Sequence, residues 1–488
     1  MLQVFDTARR EKVPFESLES GRVRMYSCGP TVWDFAHIGN FRSFLFADVL
    51  KRYLRYLEFE VFHVMNLTDV DDRIASRVRQ EGLSLREYTE PYIDAFFADL
   101  DSLNVDRADV YARATDHIDE MIDLIGRLEK KGLAYRRDGS VYYSIGQFPA
   151  YGDFARLDLS GMRTGVRVDT DRYDKDDVRD FVLWKAWTEE DGEVAWDSPF
   201  GRGRPGWHVE CSAMSTKYLG DVFDIHTGGI DLVFPHHQNE IAQSEGATGH
   251  PIVRQWMHNE FMHIDGQGMS KSLGNNIRLQ DIGRDPALIR AFRYMVVTSH
   301  YRTILNFTQE ALAASRSALE RLTRLRERLG ELSAGVGGES GREGEADRLL
   351  EANTDPELAA EVATARAGFC SAMDDDLNSP RAMASVFGLV NGVEKAMAKG
   401  HLASQSAREV EAFLGEVGRV LGIFYRLDSG AEDERPPELP DELADLISAR
   451  EGARSRKAWE AADQLRQELL EKGVVVSDGP EGTEWTWK

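Results

Sequence analysis

The stretch SCGPTVWDFAHIGNFRSFLFADVL, residues 27–50, decides the fold class of this chain. Its first residues end an alternating, β-branched run at 23–29 that is typical of a strand, and a helix-like run follows from about Asn40 to Leu57. A second strand-like run covers residues 59–70. Strand, helix and strand at this length predict a βαβ unit of a parallel sheet, and the loops at the strand ends are the usual ligand site of such a sheet.

Length, composition and charge limit the classes of protein that need to be considered. The chain has 488 residues, of which 42% are hydrophobic and 29% charged, and its formal net charge is −24. This length predicts about two to four domains. The acidic balance argues against a protein that binds nucleic acid over its whole surface, although a local basic face is compatible with tRNA.

The same sequence predicts a protein of the cytoplasm. No apolar run approaches the ~20 residues of a membrane span, so no membrane contact is expected. The N-terminus lacks the apolar core of a signal peptide. Three cysteines in a long chain without such a signal are typical of a reduced compartment, where metal binding or burial is expected rather than a disulfide.

Four residues far apart in the sequence carry side chains that suit a metal ion. Cys28 ends the first predicted strand, and Cys211 lies in WHVECSAM at the start of a predicted helix. His236 and Glu240 are four residues apart and therefore share one helix face. Two thiolates, an imidazole and a carboxylate would favour Zn²⁺. The alternatives are ordinary ones, because a buried cysteine is usually a small apolar side chain and a His/Glu pair at this spacing usually faces solvent.

Two further motifs suit phosphate groups. HIGN, residues 37–40, lies between a strand and a helix, where backbone N–H groups and the helix dipole attract anions. In GMSKSLGN, residues 268–275, a polar loop flanked by glycines could place the Lys271 ammonium on a triphosphate and stabilise the departing pyrophosphate. Either motif alone is weak, because such turns and loops are mostly plain surface. In this order on successive βα units, the pair indicates nucleotide chemistry.

Together these motifs resemble a known family. HIGN and MSKS resemble the signature pair of the class I aminoacyl-tRNA synthetases. CGPTVWDFAHIGNFRSF, NLTDVDDRI, GRPGWHVECSAM, HTGGIDLVFPHHQNEIAQSE and GMSKSLGN are similar to the cysteinyl-tRNA synthetases. So are AMDDDLNSPRA (372–382) and the C-terminal AADQLRQELLEKGVVVSDGPEGTEW. The resemblance covers nearly the whole chain, and the linker-like residues 330–348 are the part without a counterpart.

This resemblance implies an α/β fold, in which a Rossmann-type parallel-sheet catalytic domain with an insertion is followed by an α-helical bundle and a small anticodon-binding domain. The implied domains are the first half of the Rossmann domain at 1–135, a connective insertion at 136–200, the second half of the Rossmann domain at 201–265, the MSKS loop and stem-contact region at 266–310, a DALR-like tRNA-binding bundle at 311–430 and the anticodon-binding domain at 431–488.

An activity and its cofactors are also implied by the resemblance. L-cysteine would be activated with ATP to cysteinyl-adenylate and transferred to the 3′ end of tRNA(Cys), by a protein that is usually a monomer. One Zn²⁺ per chain would select the cysteine thiol, and Mg²⁺ would accompany the ATP. No editing domain is then required, because a site built around the polar atom of a substrate can reject an analogue without it by ~10⁴ or more.

The resemblance assigns residues to each part of this activity. The implied residues are Cys28, Cys211, His236 and Glu240 for zinc; His37, Asn40 and Lys271 for catalysis; these three with Gly39, Ser270 and Ser272 for ATP; Thr68, Trp207 and Asp231 for the substrate cysteine; and Arg454, Trp459, Asp463, Arg466 and Asp478 for the tRNA anticodon. Four more histidines, His208, His226, His237 and His258, are expected to crowd the floor of the same site.

One departure from the family pattern keeps two alternatives open. The first lysine of the usual K-M-S-K-S loop is Gly268 here, and Lys271 matches the second lysine. One alternative is a cysteine:amino-sugar ligase of thiol-cofactor biosynthesis, a class that resembles the catalytic half but typically lacks the C-terminal tail. The other is a catalytically silent tRNA-binding paralogue, which Gly268 favours and the intact His37, Asn40 and Lys271 oppose.

Overall fold

The computed structural model describes residues 1–157, 167–168, 180–269, 274–283, 285–334, 355–399, 402–425, 441–456, 458–472, 474–479 and 482–487. The chain divides into two compact units, residues 1–425 and 426–488. None of the helices in these described ranges is long and apolar enough to cross a membrane.

The described part of the chain contains α-helices and β-strands in alternation, followed by a run of helices. The helices are α1 (Ile38–Tyr56), α2 (Asp72–Glu81), α3 (Leu85–Ser102), α4 (Ile118–Lys130), α5 (Trp207–Leu219), α6 (His236–Thr248), α7 (Pro286–Val297), α8 (Gln309–Ala334), α9 (Pro356–Met373), α10 (Ser379–Ala398), α11 (Ser404–Leu421), α12 (Asp441–Ser455) and α13 (Trp459–Glu471).

The strands are β1 (Gln3–Asp6), β2 (Glu11–Pro14), β3 (Arg22–Ser27), β4 (Glu60–Leu67), β5 (Val110–Arg113), β6 (Ala134–Arg137), β7 (Ser140–Tyr143), β8 (Arg167–Val168), β9 (Asp180–Ala186), β10 (Gly203–Pro205), β11 (Phe223–Gly229), β12 (Val253–Asn259), β13 (Met262–Ile264), β14 (Gln267–Gly268), β15 (Leu305–Phe307), β16 (Val474–Gly479) and β17 (Gly482–Trp487).

A five-stranded parallel sheet with the order β12-β11-β3-β4-β5 forms the centre of the larger unit. The predicted βαβ unit is confirmed as β3, α1 and β4, with ends that differ from the prediction by one to three residues at most of its boundaries. Every residue of β11 is buried. Helices cover both faces of such a sheet, and this is why its strands are apolar without strict alternation.

The order of the strands positions the loops that carry the candidate site. The chain runs outward from β3 to β4 and β5, and then returns on the other side of β3 as β11 and β12. The carboxyl ends of β3 and β11 therefore lie side by side where the direction of the chain reverses. A crevice forms at such a switch point in an open parallel sheet, and ligands usually bind there.

A second, smaller sheet interrupts the first, as predicted for an insertion. Its strands β10-β9-β7-β6 are antiparallel, and β8 adds to β9 in parallel. A three-stranded sheet, β14-β13-β15, follows the central sheet. Strand β14 ends at Gly268, directly before the polar loop, so this short sheet carries one end of that loop.

Helices α8 to α11 form the helical part of the larger unit. Leu312, Leu319, Leu322, Leu325 and Leu329 of α8 are buried at spacings of three, four and seven residues, which is the apolar face of a packed helix. The predicted linker 330–348 is wrong for its first residues, since 330–334 complete α8, whose apolar face continues to Leu329. The rest of that predicted linker lies outside the described residues.

The smaller unit contains helices α12 and α13 and the antiparallel hairpin β16-β17. It has a hydrophobic core of its own, formed by Leu443, Ile447, Leu469 and Val476. A helical pair against a hairpin with so few buried residues is a small domain, which agrees with the size of the predicted C-terminal domain.

A buried arginine connects the helical part of the larger unit to α1, which packs on the central sheet. Arg293 of α7 lies 2.5 Å from Asp48 of α1, and both side chains are fully buried. The same guanidinium donates to the carbonyls of Leu421, Leu103 and Asn104. Burial opposes ionisation of Asp48, but the adjacent guanidinium of Arg293 lowers the pKa of its carboxyl below the ordinary value.

This pair yields a prediction for stability. Replacing Arg293 by Met would leave the Asp48 carboxylate buried without its main partner, which typically costs ~3–5 kcal/mol. We expect R293M to lower the free energy of unfolding by about that amount in urea titrations that follow tryptophan fluorescence. The control, R321A, breaks the half-exposed Arg321–Glu394 pair between α8 and α10 and should cost less than about 1 kcal/mol. Equal losses for the two variants would contradict this account.

Candidate active site and metal centre

A cavity of about 1030 Å³ opens at the carboxyl ends of β3 and β11. Cys28, Trp207 and His236 line one part of it, and the turn that contains His37 and Asn40 lines another. The two groups of residues that the sequence assigned to metal and to phosphate therefore face one space, although they come from separate loops.

The four predicted metal ligands converge at the floor of this cavity. Cys28 follows the last residue of β3, Cys211 lies on α5, and His236 and Glu240 lie one turn apart on α6. One ligand atom from each lies within 4.8 Å of all the others. All four side chains are buried, so the helix face that carries His236 and Glu240 is not solvated, and the two cysteines lie next to this pair within the core.

The geometry and the donor types fit a tetrahedral zinc ion. Two sulfurs bound to one zinc at ~2.3 Å stand about 3.8 Å apart, and Cys28 Sγ lies 4.0 Å from Cys211 Sγ. Glu240 Oε1 lies 3.8 Å from Cys28 Sγ and 3.0 Å from His236 Nε2. The second ring nitrogen of His236 hydrogen-bonds with His208, which is the outer contact that orients a metal-binding imidazole.

The charges of this cluster also suit a cation. Burial raises the pKa of the Cys28 thiol well above its ordinary value, and Cys211 and Glu240 add to the rise. Burial would raise the pKa of Glu240 too, but the neighbouring His226 and His236 lower it to about 2. Burial opposes protonation of His236, yet Glu240 and Cys211 raise its pKa to about 10. Protons on the surrounding imidazole and thiol groups thus compensate the negative charge of the Glu240 carboxylate. A bound metal ion would displace these protons.

More imidazoles surround the four ligands, as predicted. His226 hydrogen-bonds with Glu240, and His237 Nε2 lies 3.3 Å from Cys28 Sγ. His258 hydrogen-bonds with His237, and burial lowers the pKa of His258 to about 3. Cys28, His226, His237 and Glu240 also form a set close enough to hold a metal. The set with both cysteines has the softer donors and is the better match to zinc.

Glycine at position 29 is required by the backbone beside Cys28. A Cβ atom there would lie 1.8 Å from the backbone oxygen of Asn66, at the end of β4. The Gly29 amide donates to the side chain of Asn66 at 2.8 Å, which ties the loop after β3 to β4. The thiol of Cys28 is thereby held at a defined place next to the sheet.

The three residues predicted to contact substrate cysteine take different positions. Trp207 begins α5, lines the cavity and stacks on His236 with ring centroids 4.3 Å apart. Asp231 lies after β11, is exposed and lines the cavity as well. Thr68 is buried and donates to Glu210 at 2.8 Å, and its backbone pairs with that of Thr31 on the cavity wall.

The predicted phosphate-binding turn forms the N-terminus of α1. His37 caps the helix: its Nδ1 accepts from the Asn40 amide at 3.3 Å, and the Asn40 side chain accepts from the His37 amide at 3.0 Å. A ring whose Nδ1 accepts a hydrogen bond carries its proton on Nε2 when it is neutral. This arrangement prepares an N–H donor, together with the helix dipole, at the edge of the cavity.

Described residues at both ends of the polar loop contact this turn. Met269 packs so closely over Gly39 that a Cβ there would lie 2.1 Å from Met269 Cε. After the loop, the Ile38 amide donates to the carbonyl of Ile277 at 2.9 Å. Lys271, Ser270 and Ser272 themselves lie outside the described residues.

Sequence reasoning missed an aromatic and basic rim on the same cavity. Trp33 and Phe35 line its mouth, the guanidinium of Arg73 lies 4.5 Å from the Trp33 ring centroid, and that of Arg278 lies 4.6 Å from the Phe35 ring centroid. The available signal was the pair of aromatic residues in a loop between a strand and a helix. The two arginines could not be found from the sequence, because only the fold brings them to that loop.

The predicted anticodon residues all lie in the smaller unit. Arg454 is in the last turn of α12, Trp459 begins α13, Asp463 and Arg466 follow on α13, and Asp478 is on β16. Arg466 is exposed. The side chains of Trp459, Asp463 and Asp478 lie outside the described residues.

Family models match three consecutive parts of this chain. The model described as tRNA synthetases class I (C) catalytic domain matches residues 14–317. A DALR domain matches residues 368–425, and a cysteinyl-tRNA ligase anticodon binding domain matches residues 436–485.

Curated relatives match the chain from end to end. A cysteine–tRNA ligase of Chlamydia trachomatis serovar A is 42% identical over 99% of this chain and 98% of its own length. Cysteine–tRNA ligases of Brachyspira hyodysenteriae and Solibacter usitatus are also 42% identical, over at least 99% of both chains.

Solved structures share the fold. Methionyl-tRNA synthetase of Mycobacterium tuberculosis, in complex with methionyl-adenylate, superposes with a TM-score of 0.57 at 15% identity over 82% of this chain and 90% of its own. A leucyl-tRNA synthetase ternary complex from Agrobacterium radiobacter K84 gives 0.57 at 13% identity over 84% and 85%. With the parallel sheet, the cysteine-containing cluster and full-length similarity to these ligases, the chain belongs to the cysteine–tRNA ligase family of the class I aminoacyl-tRNA synthetases.

Proposed function

We propose that this protein activates L-cysteine with ATP and transfers the cysteinyl group to the 3′ end of tRNA(Cys). The observation that carries the proposal is the convergence of Cys28, Cys211, His236 and Glu240 in one cluster, of which Cys28 and His236 line the same cavity as the His37 turn. A thiol-recognising cluster and a phosphate-binding helix terminus on one space are what the joining of cysteine to a nucleotide requires.

The amino acid would enter with its side chain towards the buried cluster. Cys28, Cys211, His236 and Glu240 would hold the zinc ion, which would supply a Lewis acid that prefers a thiolate to the hydroxyl of serine. Trp207 would contact the side chain of the substrate, since its ring stacks on that of His236. The exposed carboxylate of Asp231 would pair with the substrate ammonium, which leaves the carboxylate of the substrate turned towards the nucleotide.

ATP would lie along the N-terminus of α1. Gly39 lets the nucleotide approach the backbone, and the side chains of His37 and Asn40 set the geometry of that turn. The substrate carboxylate oxygen would then attack the α-phosphorus, and pyrophosphate would leave. Lys271, with Ser270 and Ser272, would come from the polar loop to stabilise the charge on the phosphates, with Mg²⁺ on the pyrophosphate oxygens.

The second step would transfer the cysteinyl group to tRNA. A ribose hydroxyl of the terminal nucleotide attacks the carbonyl carbon of the adenylate, and AMP leaves. The anticodon would contact Arg454, Trp459, Asp463, Arg466 and Asp478. Aromatic rings and guanidinium planes bind unstacked loop bases by stacking, and polar side chains read the base edges.

The domain boundaries predicted from the sequence separate the part that would carry out adenylation from the parts that would bind tRNA. We assign residues 1–135 and 201–265 to the catalytic domain, 136–200 to the insertion and 266–310 to the loop and stem contact. The sheet of the insertion extends slightly beyond these bounds, from Ala134 of β6 to Pro205 of β10. The bundle at 311–430 and the domain at 431–488 would hold the tRNA. The matched catalytic, DALR and anticodon-binding models support this assignment.

Neither alternative is favoured by the comparisons. An amino-sugar ligase typically lacks the C-terminal tail, whereas this chain matches an anticodon-binding domain at residues 436–485. A silent paralogue has only Gly268 in its favour. We further propose a monomer that acts in the cytoplasm, where its substrate tRNA and reduced thiols occur; all three cysteines lie in the described part of the chain and none forms a disulfide.

Charging of bulk tRNA tests the function directly. With labelled cysteine and labelled serine supplied in parallel reactions, we expect charging with cysteine to exceed charging with serine by a factor of ~10⁴ or more. Removal of bound metal with a chelator should abolish charging, and added Zn²⁺ should restore it. Adenylation without charging would point to a ligase with another acceptor, and equal use of serine would contradict the assignment of the cluster.

The metal centre can be tested without an activity assay. We expect one zinc per chain in metal analysis of the purified protein, and C211S should lose it because a hydroxyl replaces a thiolate ligand. C370S is the matched control, since Cys370 lies on α9, outside the cluster, and this variant should retain its zinc. Zinc-free wild-type protein, or zinc retained by C211S, would exclude the proposed ligand set.

The loop lysine has a test of its own. K271A removes the ammonium that would stabilise the phosphates in the transition state, so single-turnover adenylation should slow on the order of 10²- to 10³-fold. K217A, which removes a surface lysine paired with Glu120, should leave the rate unchanged. An unchanged rate for K271A would rule out the assigned role.

A further inference from the structure

Three consecutive aspartates, Asp374 to Asp376, lie in the loop between α9 and α10 of the helical part, and the last of them is completely buried. Its carboxylate hydrogen-bonds with groups from other parts of the chain. It accepts from the Phe5 amide at 2.8 Å, from the Tyr301 hydroxyl at 2.5 Å and from the Arg302 guanidinium at 2.7 Å. The buried carboxylate of Asp376 therefore contacts both the first strand of the chain and the turn after α7.

Tyr301 passes this contact on to the helix that begins at the nucleotide turn. The Tyr301 ring stacks on Phe46 of α1, with centroids 4.4 Å apart and planes 12° apart. Arg42 lies one turn earlier on the same face of α1, and its guanidinium donates to the backbone carbonyl of Tyr301 at 3.3 Å. The ring and the backbone carbonyl of Tyr301 thus both contact α1, and its hydroxyl is hydrogen-bonded to Asp376.

The Arg42 guanidinium also joins α1 to the sheet that carries the polar loop. It is nearly completely buried and donates to the carbonyls of Phe261 and Thr303 in addition to that of Tyr301. Phe261 directly precedes β13, and Thr303 lies shortly before β15, which pairs with β13. One side chain therefore fixes α1 against the start of both strands of the sheet whose third strand, β14, leads into the Lys271 loop.

These contacts connect the bundle to both signature motifs of the nucleotide site. Arg42 is five residues from His37, which is ~7 Å along the helix axis. The near end of the polar loop begins at β14, and its far end is hydrogen-bonded to Ile38 at the start of α1. A shift of the 300–303 turn would move α1 relative to that sheet, and hence one motif relative to the other.

We propose that Asp376 is a positioning residue for ATP, which acts from the helical tRNA-binding part of the chain through Tyr301 and Arg42. It holds the 300–303 turn in the place where Arg42 sets the His37 end of α1 against the loop that carries Lys271. This inference rests on the proposed function, because it takes His37 and Lys271 as the residues that contact ATP. The proposed zinc ligands lie on α5, on α6 and directly after β3, so the route through Tyr301 and Arg42 does not pass through the cysteine subsite. Asp376 also accepts from the Phe5 amide of β1, and asparagine at position 376 retains an oxygen for that contact.

The experiment compares D376N with D375N in the full-length protein. Asp376 has a φ of +63°, a conformation that asparagine tolerates well, so D376N keeps the backbone while it removes the charge that faces Arg302. Asp375 is its half-buried neighbour, paired with Lys12, and D375N is the matched control. The readout is cysteine-dependent exchange between ATP and pyrophosphate without tRNA, with KM measured separately for ATP and for cysteine.

We expect D376N to raise KM for ATP, or to lower kcat of adenylation, on the order of tenfold to a hundredfold, while KM for cysteine stays within about twofold. D375N should match the wild type in all three values. A D376N variant with wild-type adenylation overturns the proposal. So does a change of the same size in both KM values, which would show a general loss of structure rather than a shift of the nucleotide motifs.

A second pair of variants covers the case in which D376N does not fold. Y301F keeps the ring on Phe46 and removes only the hydroxyl that donates to Asp376, and it should raise KM for ATP selectively, by less than D376N. If the effect passes through Tyr301, the loss in D376N/Y301F should be smaller than the product of the two single losses, because residues that act in series are not additive. Independent, multiplicative losses would overturn the proposed route.

The test separates this inference from the proposed function on which it rests. H37N removes the imidazole but retains a good N-cap for α1. If H37N raises KM for ATP and D376N does not, only the positioning role of Asp376 is wrong. If H37N leaves KM for ATP unchanged, the assignment of this turn to ATP fails, and the inference fails with it.

Discussion

The parallel pairing of β3 with β11 is the constraint on which the site depends. The register places Ser27 opposite Thr227, 200 residues later in the chain, and their hydroxyls hydrogen-bond at 2.7 Å. Because parallel strands end at the same edge of a sheet, Cys28 arrives beside the loop and helix that follow β11. The amide of Cys28 donates to the carbonyl of Thr227, so the Cys28 backbone is fixed by the ladder of the sheet itself. Without this pairing the four ligands would have no common centre.

The floor of the cavity is polar but buried, and its stability comes from mutual pairing. An isolated buried carboxylate such as that of Glu240 would be strongly unfavourable, but it contacts two imidazoles at 3.0 Å. His237 and His258 continue the network to Thr7, at the end of β1. Such a network holds each donor in one orientation, and its exclusion of water makes the choice between a thiol and a hydroxyl sharper than it would be in solvent.

Two buried arginines connect segments of the larger unit: Arg293 joins the helical part to α1, and Arg42 joins α1 to the segments that precede β13 and β15. Arg293 and Arg42 both donate to backbone carbonyls at the ends of segments, where the regular ladders of helices and sheets no longer supply a partner. A guanidinium has five N–H donors in a fixed plane and can satisfy several such carbonyls at once. A lysine at either place could not, so these contacts specify the arrangement of the segments as well as stabilise it. Residues 426–488 form a separate unit with a core of their own.

The sequence by itself determined the βαβ unit, because this depends on local periodicity, and it indicated the family, because the motifs are characteristic of it. It also predicted four metal ligands through the resemblance to that family, whereas their spacing alone left the ordinary alternatives open. It also indicated an insertion, where the structure has a sheet of the antiparallel strands β10-β9-β7-β6, with β8 added in parallel. It misjudged residues 330–334, where a polar composition concealed the end of a helix whose buried face is set by earlier leucines. Only the tertiary structure decided that Cys28 meets Cys211, that Arg73 and Arg278 reach the aromatic rim, and that Asp376 contacts the turn beside α1. The physical reason is that these contacts join segments far apart in the chain, and their distances follow from strand order and helix packing, to which no local pattern refers.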